Sequence, residues 1–145
     1  MKEEFNQYLN TIGIDSPLIR KRIEELIILI KNLHSEEILD ILIGEYINKE
    51  GGREITGLGI YSENFVSIFG NFLYENEFKI YNHKKSLKSI NFFPENYDFL
   101  EATQDSRLLV FLLFREEEGF AGRASGINCD YLKKIVYKYF ISSLR

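Results

Sequence analysis

Apolar residues recur at steps of four, three, four and three through Ile19, Ile23, Leu26, Ile30 and Leu33, which sets them along one face of an α-helix. Ser16 and Pro17 stand where such a helix would begin, the serine able to accept from a first-turn amide and the proline already fixed at a helical φ. The spacing predicts a helix over residues 16–33. A shorter one over residues 3–10, stopped before Gly13, would turn Phe5, Tyr8 and Leu9 inward. Residues 35–48 carry two periods at once: Ile38, Leu42 and Tyr46 suit a helix, whereas Ile41, Ile43 and Ile47 suit an alternating strand. Lys49-Glu50-Gly51-Gly52 supplies a tight turn before another strand-like run and favours a hairpin. A turn of helix at residues 35–39, followed by a strand, is therefore expected.

From Ile55 onward the period shortens. Residues 55–61, 65–73, 78–82, 87–93, 97–103, 108–115 and 120–124 read as strands joined by polar, hairpin-sized segments. After Gly126 the helical period returns through Leu132, Ile135, Val136 and Tyr139, with Asn128 as the expected N-cap and about four turns of helix to follow. One strand differs from the rest, because residues 108–114 are apolar on both faces. Such a strand needs cover on both sides, one face toward a curled sheet and the other beneath the 16–33 helix or the terminal helix. The expected fold is α+β: an antiparallel curled sheet or barrel capped by a C-terminal helix. Residues 1–40 form a helical segment packing on the sheet formed within residues 41–145.

Composition narrows the function more than it defines it. The 145 residues are 45% apolar and 28% charged, enough for a buried core. No run of 18 apolar residues is present to span a membrane, and Glu3 and Glu4 stand where a signal peptide would be basic. A single cysteine, Cys129, fits a reducing, cytoplasmic setting. The net charge of −4 argues against nucleic-acid binding, which needs a field of cations. That charge is uneven, at −4 over residues 1–50, −3 over 51–105 and +3 over 106–145.

The succession of short strands closed by one amphipathic helix resembles pleckstrin-homology-like (PH-like) barrels, over roughly residues 53–144. Leu87-Lys88-Ser89-Ile90, residues 107–115, residues 119–126 and the final helix look like the later strands and capping helix of that family. Many members carry a helix Trp that packs on the barrel; here Tyr139 or Phe140 would take its place. The basic phosphoinositide signature of lipid-binding members belongs to the first hairpin, which on this count is the acidic Ser62-Glu63-Asn64. The resemblance implies a scaffold used to bind peptides and proteins. The order of elements also looks like a roadblock or profilin-like sandwich, but residues 70–76 are too short for the long helix that fold needs after its second strand.

Catalytic chemistry has little to build on. Two histidines, His34 and His83, and one cysteine far from both give no metal spacing. Cys129 stands near a helix start beside Asp130, which opposes a thiolate. The carboxylate pairs lie in helices or turns. Gly57 and Gly59 sit within a strand, without the helix N-terminus that a phosphate-binding glycine motif requires, and read as permitting a bend or close approach. No enzyme activity, cofactor or metal is therefore expected. Two binding surfaces remain. The helix broadened by Ile27, Ile28 and Leu29 offers Ile19, Ile23, Leu26, Ile27, Ile28 and Leu29 to a protein partner or a second copy, in company with an exposed strand edge. Alternatively, if Phe78 and Ile80 point inward, Lys79, Tyr81 and His83 share the outer face with Lys84, Lys85 and Lys88, a patch suited to a small anion or headgroup.

Overall fold

A computed structural model describes residues 1–48, 50–84 and 87–141. Helices α1 (Glu3–Thr11) and α2 (Pro17–Leu33) precede seven strands, β1 (Asp40–Ile47), β2 (Arg53–Tyr61), β3 (Phe65–Phe69), β4 (Phe78–Asn82), β5 (Leu87–Glu95), β6 (Arg107–Phe114) and β7 (Phe120–Ser125), and helix α3 (Asn128–Tyr139) follows. All pairing is antiparallel, in one sheet ordered β1-β2-β3-β4 and another ordered β5-β6-β7. The fold is α+β, as the periodicity indicates. Among the described residues no ladder joins the two sheets into a closed barrel, although β1 and β7 lie against each other.

Helix α2 begins as its sequence requires, with the Ser16 side chain accepting from the Ile19 amide and Pro17 in the first turn. Residues 35–39 are not a helical turn: the Leu39 amide donates to Tyr61 O at 2.8 Å and already extends the β1–β2 ladder. The hairpin turn uses Gly51 at φ +83, and the Asn48 side chain accepts from the Glu50 and Gly52 amides, a local bond that fixes the reversal. The close approach expected of the β2 glycines is present at Gly57, where a Cβ would meet Phe69 O at 2.8 Å.

Residues 97–103 are not a strand. Asn96 and Phe99 have positive φ, which breaks an extended run, and the Asp98 carboxylate accepts from the Leu100 and Glu101 amides. The loop is tied instead to α3: Tyr97 Oη donates to Asp130 Oδ1 at 2.6 Å, the Ala102 amide donates to Asp130 Oδ2, and Lys133 Nζ donates to Phe99 O. The run of seven strands therefore starts at Asp40 rather than Ile55, and the first hairpin is β1–β2. Described helix α3 makes just over three turns.

Register separates the two faces of the four-stranded sheet. Ile41, Ile43, Leu58, Ile60 and Phe69 share one face, none more than 5% exposed. Helix α2 lies on that side: its C-cap His34 stacks on Phe65, and Arg22 donates to Phe72 O. The opposite face looks toward the second sheet and α3, with Tyr61 stacked on Tyr139 and Tyr81 on Phe114. Tyr139 and Phe140, the positions expected to replace a helix Trp, are both buried in this layer.

The exposed edge of β1 is closed by side chains. Ile43 N–H donates to Tyr8 Oη, Tyr8 O–H donates to Asn128 Oδ1, and Asn128 Nδ2 donates to Ile43 O, each at 2.8 Å. Asn128 is thus the first helical residue of α3 rather than its N-cap, its amide spent on β1. This ring gives one residue of an edge strand both bonds that a neighbouring strand would supply. Below it, the Glu45 carboxylate pairs with Arg53, which also donates to the carbonyls of Ile12 and Gly13 at the end of α1. Burial raises the Glu45 pKa against the opposing pull of Arg53.

Candidate interaction surface

Strand β6 carries its apolar residues to both sides, but only one side is covered. Leu108, Val110, Leu112 and Phe114 enter the core, while Phe111 is 39% and Leu113 40% exposed. The register adds Phe93 beside Leu109, and Asn91 and Ala121 beside Phe111. Phe93, 55% exposed, meets Phe111 edge-to-face at 5.7 Å. Among the described residues no helix lies over this face, contrary to the expectation that α2 or α3 would shield it. The reason is geometric: α2 is committed to the other sheet, and α3 packs through Leu132, Ile135, Val136 and Tyr139 into the interior.

At the end of this face a cleft of about 520 Å³ opens between the C-terminal part of β1 and the three-stranded sheet, lined among others by Tyr46, Phe93, Leu109 and Arg123. Arg107 and Glu95 are direct cross-strand partners in it, as are Arg107 and Ser125. Arg123 lies over the Tyr46 ring at 5.1 Å, a contact that holds the guanidinium without neutralising it. Arg107 is held through Nη1, which donates to Gln104 O and Ser106 O. Among the described residues neither arginine has a carboxylate within ion-pair distance.

The residues first singled out fall elsewhere. On α2, Ile23, Leu26 and Ile27 are buried and Ile19 is half-buried against the core, so these four serve packing. Ile28 and Leu29, at 53% and 36%, remain on the surface. The cationic patch is not assembled as expected, because both faces of β4 meet packed layers, and the face shared by Lys79, Tyr81 and His83 is turned toward the second sheet and α3. Tyr81 and His83 point into the interior between the sheets, whereas Phe78 and Ile80 take the α2 side, Phe78 stacked on Phe69 and Ile80 39% exposed at the sheet edge. His83 Nε2–H donates to Ser62 O at 2.9 Å while the ring meets Tyr139 edge-on; burial lowers its pKa. Lys79 faces Glu118 and Lys84 faces Glu63, Lys88 is exposed, and Lys85 lies outside the described residues.

The thiol of Cys129 is fully buried, donates to Ala124 O, and is pushed up to about 12, chiefly by burial, so it stays protonated near neutrality. No group of three or more metal-ligating side chains occurs among the described residues, and no helix there is long and apolar enough to cross a membrane. No protein-family model matches the chain, and neither the curated proteins nor the solved structures contain a match.

Sequence reasoning passed over Phe93, Phe111, Leu113, Arg107 and Arg123. The signal lies in the two-faced apolar run of β6 taken together with the positive balance of residues 106–145.

Proposed function

We propose that the chain is a non-enzymatic, cytoplasmic interaction module of PH-like plan. It docks a partner polypeptide on the outer face of β5-β6-β7. The observation that carries this reading is the group Phe93, Phe111 and Leu113, left open on a sheet whose other face is core. Contiguous exposed apolar surface of this kind marks interaction sites. The occupant is a segment that sets aliphatic or aromatic side chains on these three residues and acidic ones toward Arg107 and Arg123, whose charges have no described carboxylate partner. Four strands, then three, then a helix ending at Tyr139 and followed by Phe140 support the PH-like comparison; the buried Cys129 supports a reducing compartment.

Random peptides displayed on phage and selected on the full chain test this. Enriched sequences should combine apolar residues with Asp or Glu, and a synthetic copy should shift the NMR signals of Phe111 and Leu113. Phe111→Glu should abolish binding while the thermal midpoint stays near that of the parent. Failure to enrich any sequence, or enrichment of peptides that shift a different face, would overturn the proposal.

A further inference from the structure

The cleft beside the apolar face contains a second kind of chemistry. Arg107 and Ser125 are direct cross-strand partners, and Leu109 pairs with Arg123. All four therefore present side chains on the same face of the β6–β7 ladder, with Arg107 and Arg123 diagonal to each other. Diagonal positions have Cβ atoms roughly 7–8 Å apart or somewhat less, within the span at which two guanidinium groups can meet one bound group. Arg107 is fixed through Nη1 by two carbonyls, and its Nε and Nη2 donate to no described protein acceptor. Arg123 is fixed by its ring contact.

Between them is an unsatisfied hydroxyl. Ser125 is 3% exposed, lines the cleft, and its Oγ has no hydrogen-bond partner among the described residues. A buried hydroxyl without a partner is costly. Here Ser125 lies opposite Arg107 and two residues from Arg123 on the same face, so an acceptor that satisfied the hydroxyl from the cleft would also meet the two cations. Glu95 is the opposing charge in the cleft, leaving one cation in excess.

We infer that Arg107, Ser125 and Arg123 form an oxyanion-binding site that receives a carboxylate or phosphoryl group. This inference rests on the docking reading above for the source of that group, an acidic or phosphorylated side chain of the bound polypeptide. The planar guanidinium groups suit such oxygens through charge-assisted, paired hydrogen bonds, and the Ser125 hydroxyl adds a neutral donor. The face would then be read in two parts: apolar contact at Phe93, Phe111 and Leu113, and charge at the cleft.

Inorganic phosphate, titrated into the full chain at constant ionic strength, tests the site without a peptide. The side-chain Nε–H signals of Arg107 and Arg123 and the amide of Ser125 should shift together and saturate. Arg107→Gln and Arg123→Gln should each weaken binding by about tenfold or more, the scale of one hydrogen bond to a charged group. Ser125→Ala should weaken it several-fold while retaining the fold. Shifts that never saturate, that spread equally over the exposed lysines, or that survive both arginine substitutions would overturn the site.

The peptide arm separates the two readings. A selected peptide and its Asp→Asn copy or phosphorylated copy distinguish a peptide-borne oxyanion from a free one. Phe111→Glu should remove peptide binding and leave phosphate binding in place. Phosphate binding without any peptide binding would retain the oxyanion site and remove the docking reading. Peptide binding unaffected by the arginine substitutions would retain docking and remove the oxyanion site.

Discussion

The two sheets meet the same physical problem with opposite outcomes. Both carry apolar side chains on both faces, and both turn one face toward a shared interior. The four-stranded sheet covers its second face with the N-terminal helices, so that Ile41, Ile43, Leu58, Ile60 and Phe69 leave water. The three-stranded sheet leaves Phe93, Phe111 and Leu113 in water, beside a cleft with two arginines. Burying a large apolar side chain contributes roughly 1.5–3 kcal/mol, so the second sheet forgoes stabilisation the first collects. On the proposed function, a binding requirement rather than stability accounts for the side chains of the uncovered face.

Equivalent substitutions on the two faces put that contrast to the test. Ile60→Ala, on the covered face, should cost about 2–5 kcal/mol in chemical denaturation, since it opens a cavity in a fully buried layer. A loss under about 1 kcal/mol would mean the helices do not seal that sheet as described. Tyr8→Phe breaks the ring at β1, leaving Ile43 N–H and Asn128 Oδ1 without their partner, and should cost about 1–3 kcal/mol.

Acid sharpens the comparison in the interior between the sheets. The pKa of His83 is lowered from its ordinary 6.5, first by burial, so the unfolded chain takes up its proton first. Its contribution to stability is therefore complete above 6.5, falls with pH below that value, and levels off once the folded state also protonates. Glu45, raised by burial, acts in the opposite sense: its contribution is present below its ordinary value of 4.5 and is lost as pH rises through the folded value. The test is the difference between the parent and His83→Gln across this range; parallel stability profiles would exclude His83 as a source of the acid sensitivity. Smallest of all should be Phe111→Ser on the uncovered face, about 1 kcal/mol in unfolding experiments, because Phe111 keeps 39% of its surface in water and gives up chiefly its contact with Phe93. A larger loss would show that Phe111 is needed to hold its own sheet.

What could be read from the chain follows the same division. Helix α2 was legible because Ser16, Pro17 and the four-three steps agree with one another, and its burial selects Ile23, Leu26, Ile27 and Ile30. The phase of β4 was not legible. Lys79, Tyr81 and His83 alternate with Phe78 and Ile80, and both sets contain groups able to face a core, so alternation alone cannot choose between them. Tyr81 and His83 enter the core because Phe114, Phe120, Tyr139 and Phe140 are there to receive their rings. Residues 97–103 misled for a different reason: Tyr97 and Phe99 have strand-like spacing, whereas the positive φ of Phe99 and the bond from Tyr97 to Asp130 depend on tertiary contacts. The outer face of β6 was visible as composition. Its lack of cover was not, because a sequence records what each residue prefers and not which helix arrives.

The ring around Ile43 also imposes an order in time. Its members are separated by 35, 85 and 120 residues, so during synthesis β1 and β2 leave the ribosome long before Asn128 exists. Through that interval Tyr8 can occupy the Ile43 amide, but the carbonyl still awaits its donor, and an open strand edge invites pairing with other chains. The start of α3 thus works as a closing stitch: a nascent chain halted before residue 128 would have its hairpin assembled and its margin still unsewn.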